Sequence, residues 1–225
     1  MRVSVIIPTL NEAGTIEQTL SWVRQASACE IVVVDGGSDD DTAECARPYA
    51  GQLIYAPRGR ARQMNAGARA ADGEALLFLH ADTLPPAQFA ELIVAALADP
   101  EVVGGRFDVH VDAPGLAFRM IGGLMNLRSR FTGIATGDQG IFVRRGVFET
   151  IGGYPEWDIM EDLEFSHQLK RAGKIACLRA RVKTSARRWQ KHGVIKTILL
   201  MWGLRLCHFF GVSPTALKAF YADTR

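Results

Sequence analysis

The chain has 225 residues, 48% of them hydrophobic, and its 26 Lys and Arg nearly balance 24 Asp and Glu for a formal net charge of +2. That balance gives no argument for nucleic acid as a partner held by bulk charge, and any anion site has to be local. Cys29, Cys45, Cys177 and Cys207 form no CxxC pair, so the pattern suggests neither a zinc knuckle nor a disulfide scaffold and suits a reducing cytoplasm.

Residues 3–7 are a β-branched apolar run stopped by Pro8, read as a first strand and not as a signal peptide. Polar Thr9, Asn11 and Glu12 follow, then helical spacing through Ile16, Leu20 and Val23. Residues 31–34 repeat the device and end in Asp35; residues 53–55 form a third, weaker strand. An alanine-rich helix over 61–71 carries Arg62, Gln63 and Asn65 in its first turns, and strand 75–79 runs into His80, Ala81 and Asp82. Strand, polar loop and helix alternating in this way predict βαβ units and a largely parallel sheet flanked by helices.

Beyond Asp82 the pattern predicts a helix over 86–98 and strands over 102–111 and 140–143. A glycine-rich loop follows at 152–155 and a helix over 161–173, while 116–131 mixes apolar and basic residues around Gly122 and Gly123 and is assigned no element. Residues 194–212 are strongly apolar, but Lys196, Arg205 and His208 interrupt them, and a bilayer span needs roughly twenty apolar residues. We therefore expect a domain over 1–190 and a C-terminal helical segment over 191–225. That segment would pack on the domain, on a second copy in a homodimer, or on a membrane surface as a peripheral contact.

Polar residues at the C-terminal ends of parallel strands converge on one crevice, which makes Thr9, Asn11, Glu12, Asp35 and Asp82 neighbours. Helix capping explains an Asn or Asp in any one loop, but not a strand-end carboxylate at both Asp35 and Asp82. A carboxylate beside a phosphate-sized crevice suits Mg²⁺ or Mn²⁺ bridging to a diphosphate, and Asp82 alone would suffice because phosphate oxygens and water complete the octahedron.

The blocks VSVIIPTLNEAGTI, IVVVDGGSDDDT, RGRARQMNAGARAADGEALLFLHADT, GDQGIFVRR and MEDLEFSHQLKRAG, in that order, resemble family 2 glycosyltransferases. The FLHADT and GDQGIFVRR versions resemble a small bacterial group labelled arsenosugar-biosynthesis-type, or radical-SAM/selenodomain-associated. The resemblance implies a GT-A fold and inverting transfer of a sugar from a nucleotide diphosphate donor to an acceptor the sequence does not identify.

By position it implies that Pro8, Thr9, Asn11 and Glu12 form a first nucleotide-binding block. Asp35 would bond the base, typically uracil, and Arg62 and Asn65 would face the nucleotide. His80, Ala81 and Asp82 stand at the DxD position, with Asp82 as metal ligand. Asp162, next to Glu161, corresponds to the general base. Gly137, Asp138, Gln139, Glu161, Arg188 and Trp189 are placed in the acceptor or donor-sugar pocket, the last two resembling the QxxRW motif of processive members with Ser185 in the Gln position. His80 departs from the usual acid, and three readings stay open: a ring nitrogen facing ribose or a metal-bound water, a direct metal bond, or a bond to a backbone carbonyl. A nucleotidyltransferase or a non-catalytic nucleotide-binding module would share the architecture.

Overall fold

The structure, a computed structural model, describes residues 1–218; the last seven residues of the 191–225 segment lie outside that range. The first half builds as the periodicity predicts. Strands β1 (Val3–Thr9), β2 (Glu30–Asp35), β3 (Gln52–Tyr55) and β4 (Ala75–Phe78) run parallel in the order β3-β2-β1-β4. Their continuous Val, Ile and Leu runs are explained by burial on both faces. On one face Val5, Ile7 and Leu77 meet helix α1 (Ile16–Ala26) and α4 (Phe89–Ala96) through Leu20 and Phe89. On the other Ile6, Val34 and Phe78 meet α3 (Arg60–Ala70) and α7 (Glu161–Ala172) through Met64 and Phe165. The short α2 (Thr42–Ala46) follows β2.

Beyond β4 the sheet becomes mixed. Strand β7 (Ile141–Arg144) lies antiparallel between β4 and β6 (Val102–Asp112), β8 (Lys174–Ser185) runs parallel to β6, and the two-residue β5 (Thr83–Leu84) closes the edge against β8. The sequence did not announce β8, because its outward Lys and Arg residues thin the apolar signal and a register shift between Phe107 and Asp108 breaks the period of two. Nor did it announce α5 (Leu116–Thr132), whose outward face is apolar instead of polar. A 3₁₀ turn (Gly137–Gln139) precedes β7, α6 (Arg145–Thr150) follows it, and α8 (Arg187–His192), α9 (Val194–Phe209) and α10 (Pro214–Lys218) end the described chain.

Helix α9 packs on the domain: Leu204 joins Ile159, Met160 and Leu217, while Ile198 lies against Val111, Ile121 and Ala186. Among the described residues no helix is long and apolar enough to cross a membrane. Strand β6 carries Arg106, whose side chain is 1% exposed, paired with Asp108. Asp108 also accepts from Arg130 of α5 at 2.7 Å, and Asn126 of the same helix bonds both the N–H and the C=O of Val109. This polar seam fixes where α5 sits, and α5 is one wall of the cleft described next.

Candidate active site

Strands β1, β2 and β4 end on one edge, as parallel strands must, and a cleft of about 630 Å³ opens there. The loops beneath it are stitched before any ligand arrives. Asn11 sits in the left-handed region at φ 54°; its side-chain oxygen accepts from Asp39 N–H at 2.9 Å and its N–H donates to Ser38 Oγ at 3.0 Å. Asp35 is buried and accepts from the N–H groups of Gly37 and Ser38, both at 2.8 Å, and from Ser38 Oγ at 2.6 Å and Thr9 Oγ1 at 3.3 Å. Gln63 of α3, which the sequence places in the helix's first turns without a role in the site, donates to the carbonyls of Thr9 and Val34 at 2.7 and 2.8 Å. Thr9, Asn11 and Asp35 thus shape the loops, and none of them lines the cleft, whereas Pro8 and Glu12 do.

The polar end of the cleft is built from facing charges. Arg187 Nη2 lies 2.7 Å from Glu12 Oε2 and 3.5 Å from Asp82 Oδ2, bridging the first and fourth strand ends. Asp82 is pushed above the usual carboxylate range, chiefly by burial; the charges of Asp138 and Glu12 add to this, and those of His80 and Arg187 oppose it. His80 Nδ1 lies 3.2 Å from Asp138 Oδ1. That partner stands outside the three readings above, and it replaces the backbone carbonyl at this nitrogen. Burial alone would push Asp138 up, but its hydrogen bond with His80 and the positive charges of His80, Arg60 and Arg188 hold it well below the usual range.

Gly137 lies against the same ring, and a Cβ there would fall 2.5 Å from His80 Nε2. Gly137→Ala must therefore displace the imidazole and break its pairing with Asp138. We expect a loss of about 1–3 kcal/mol in thermal or urea unfolding, the usual cost of overpacking; an unchanged midpoint would show that the ring is not held as described.

Asp162 is in the second residue of α7, which follows Met160 in the left-handed region at φ 64°. Its Oδ2 accepts from Gly137 N–H and its Oδ1 from Leu163 N–H, both at 2.9 Å. Each oxygen keeps a lone pair, and the residue lines the cleft. Glu161 is buried with Arg60 Nη1 at 3.8 Å; burial pushes its carboxyl up, Arg60 opposes this and Asp162 adds to it.

Several expected residues fall elsewhere. Arg62 points away, toward Glu156 at 3.4 Å and the Arg58 carbonyl at 3.2 Å. Arg60 lines the cleft instead, since two residues on a helix differ by about 200° around its axis. Asn65 does not face the cleft: its side chain clasps the backbone N–H and C=O of Tyr154, both at 2.9 Å. Gln139 is fully buried, capping its own turn with Thr136 and donating to Ser129 Oγ at 3.1 Å, so it supports Gly137 and Asp138 from behind. Ala81, Arg188 and Trp189 line the cleft, together with Arg187, Arg128 and Arg205.

Among the described residues no three His, Cys, Asp or Glu side chains are gathered to hold a metal. The donor set fits a hard cation that takes one oxygen from Asp82 and the rest from a ligand and water, and does not fit a cage made by the protein alone.

A parallel βαβ half whose strand ends meet an acid-lined cleft, followed by a mixed half that supplies a Glu-Asp helix start, defines the GT-A arrangement. The chain belongs to glycosyl transferase family 2, whose profile matches residues 4–152. It is 33% identical over 177 residues to the PGL/p-HBAD biosynthesis glycosyltransferase of Mycobacterium bovis, covering 72% of this chain and 67% of that protein. With glycosyltransferase AglE of Haloferax volcanii it shares 29% over 170 residues, 68% of this chain and 56% of AglE. The chain thus spans about half to two thirds of the length of these relatives. Among solved structures, S. aureus TarS 1-349 in complex with UDP superposes with a TM-score of 0.66 at 20% identity, covering 87% of this chain and 63% of that one. M. tuberculosis glucosyl-3-phosphoglycerate synthase gives 0.60 at 19%, covering 80% and 70%. At these identities the superpositions establish the fold.

Proposed function

We propose that the chain is an inverting glycosyltransferase that moves a sugar from a UDP-linked donor to an acceptor hydroxyl. The observation that carries this reading is Asp162, held by the N–H groups of Gly137 and Leu163 and facing the same cavity as Asp82 and a group of arginines. The acceptor hydroxyl attacks the anomeric carbon opposite the diphosphate: the new C–O bond forms as the bond to the leaving diphosphate breaks, and the hydroxyl proton passes to Asp162. Arg60, Arg187 and Arg188 supply positive charge toward the departing diphosphate. Mg²⁺ or Mn²⁺ at Asp82, when bound, would neutralise further charge on that group.

Asp35 lies outside the cleft, so the base would bond it only once the Ser38 hydroxyl releases one carboxylate oxygen. A UDP-bound structure of the similarly folded TarS supports uridine as the base. The FLHADT and GDQGIFVRR blocks supply a context within the family, the arsenosugar-biosynthesis-type group, and no substrate. Free cysteines at 29, 45, 177 and 207 support a reducing compartment.

The test is thermal unfolding with UDP, GDP, CDP and dTDP, each with Mn²⁺ and with a chelator. UDP with Mn²⁺ at a hundred times its dissociation constant should stabilise the fold by about 2.7 kcal/mol, and Asp82→Ala should remove the metal-dependent part. Equal stabilisation in chelator would remove the metal from the reading, and no response to any nucleotide would remove the donor.

A further inference from the structure

The polar end of the cleft accounts for a donor; its other half does not. That half is walled by Leu124, Leu127 and Phe131 of α5 and by Met201, Trp202 and Leu204 of α9. The apolar surface continues outward past the cleft. Leu116, Met120, Leu124, Leu127 and Phe131 recur at spacings of four, four, three and four, which places them along one side of α5, and all are between 52% and 82% exposed. Ile195, Leu199, Trp202 and Leu206 do the same along α9, again more than half exposed. Two exposed apolar stripes on the two helices that frame one cleft exceed what an isolated soluble domain normally shows.

Charge decides between occupants. Helix α5 carries Arg119, Arg128 and Arg130 and helix α9 carries Lys196 and Arg205, and neither helix carries an Asp or Glu. A second copy docking through the same patch would set these cations against each other, because a two-fold interface faces itself. An anionic lipid surface meets both features, apolar stripes for the acyl boundary and cations for the headgroups.

A second, independent observation lies inside the cleft. Arg128 Nη2 and Arg205 Nε are buried and have no hydrogen-bond partner, and both side chains line the cleft from facing helices. Burial, together with the charge of Arg205, pulls Arg128 down to about 10, and Asp162 opposes this. Buried guanidinium nitrogens without acceptors are costly, and an anionic group between the two helices would satisfy both.

We propose that α5 and α9 dock on an anionic lipid surface, and that Arg128 and Arg205 receive the anionic group of an acceptor carried in that surface. The acceptor half of this statement rests on the transferase reading above; the docking half does not. An acceptor of this class enters from the bilayer side, its apolar body along α5 and α9 and its polar end toward Asp162.

The test uses the full chain and vesicles of pure phosphatidylcholine or of phosphatidylcholine with about 30% phosphatidylglycerol. Co-sedimentation should be about tenfold stronger on the anionic vesicles and should weaken with salt. Leu116→Glu with Leu199→Glu, at exposed positions outside the cleft, should abolish it while leaving the UDP response intact; Met120→Gln with Leu206→Gln repeats the test if that pair folds poorly. For the arginines, dodecyl phosphate should raise the unfolding temperature more than dodecyl maltoside, a difference lost in Arg128→Gln/Arg205→Gln. Equal binding to both vesicle types, or no vesicle binding with a dimer that the stripe variants dissolve, would overturn the proposal. Vesicle binding by a chain that ignores every nucleotide would overturn the transferase reading and leave docking standing.

Discussion

Asp162→Asn is expected to lower sugar transfer about a thousand-fold, within the range that general acid–base groups contribute, with nucleotide affinity unchanged. The substitution is nearly isosteric. It keeps oxygen available to one of the two N–H donors, Gly137 and Leu163, but it removes the lone-pair basicity that, on the proposed mechanism, would take the acceptor proton. Because Asp162 sits at the start of α7, the loss of its negative charge also withdraws a favourable dipole interaction of about 0.3–1 kcal/mol, too little to unfold the domain. The measurement is turnover alongside UDP binding. A variant that binds UDP normally and turns over within about tenfold of the parent would remove Asp162 as the base.

Asp108→Ala should be the most destabilising single change in the buried polar seam, at about 3–5 kcal/mol, because it strands the buried Arg106 cation. For a chain of this size that is a fall in unfolding temperature on the order of 10 °C. Arg130 also loses its 2.7 Å partner, so α5 loosens from β6 and the cleft wall with it. The double variant Arg106→Met/Asp108→Leu should recover most of the loss, since an apolar pair of similar volume avoids the stranded charge. A single variant that loses under about 1 kcal/mol would mean that water reaches Arg106 and the seam is not sealed.

The parallel half of the sheet was legible because its signals are local. A continuous apolar run marks a strand buried on both faces, and Asp35 does end β2, whereas β1 continues through Pro8 to Thr9 and β4 already stops at Phe78. The convergence of those ends then follows from topology. Arg187 was not legible, since only the fold of β8 and α8 sets it 2.7 Å from Glu12. Arg60 and Arg62 could not be told apart by composition; the helix start at Arg60 decides which one faces inward. Asn65 and Gln139 read as ligand contacts and prove to be struts, because a buried amide satisfies backbone groups as readily as a substrate. Helix α5 hid for the opposite reason: its outward side is apolar, so it lacks the polar stripe that marks a surface helix.

The central claim is met most directly by product analysis after incubating the chain with UDP-sugars, Mn²⁺ and vesicles that carry a hydroxyl-bearing anionic lipid. The account predicts release of UDP, one new glycoside with the anomeric configuration opposite to that of the donor, and loss of both in Asp162→Asn. Release of UMP or of sugar 1-phosphate would instead mark attack at phosphorus, and UDP bound without any product would leave a nucleotide-binding module; either would contradict it.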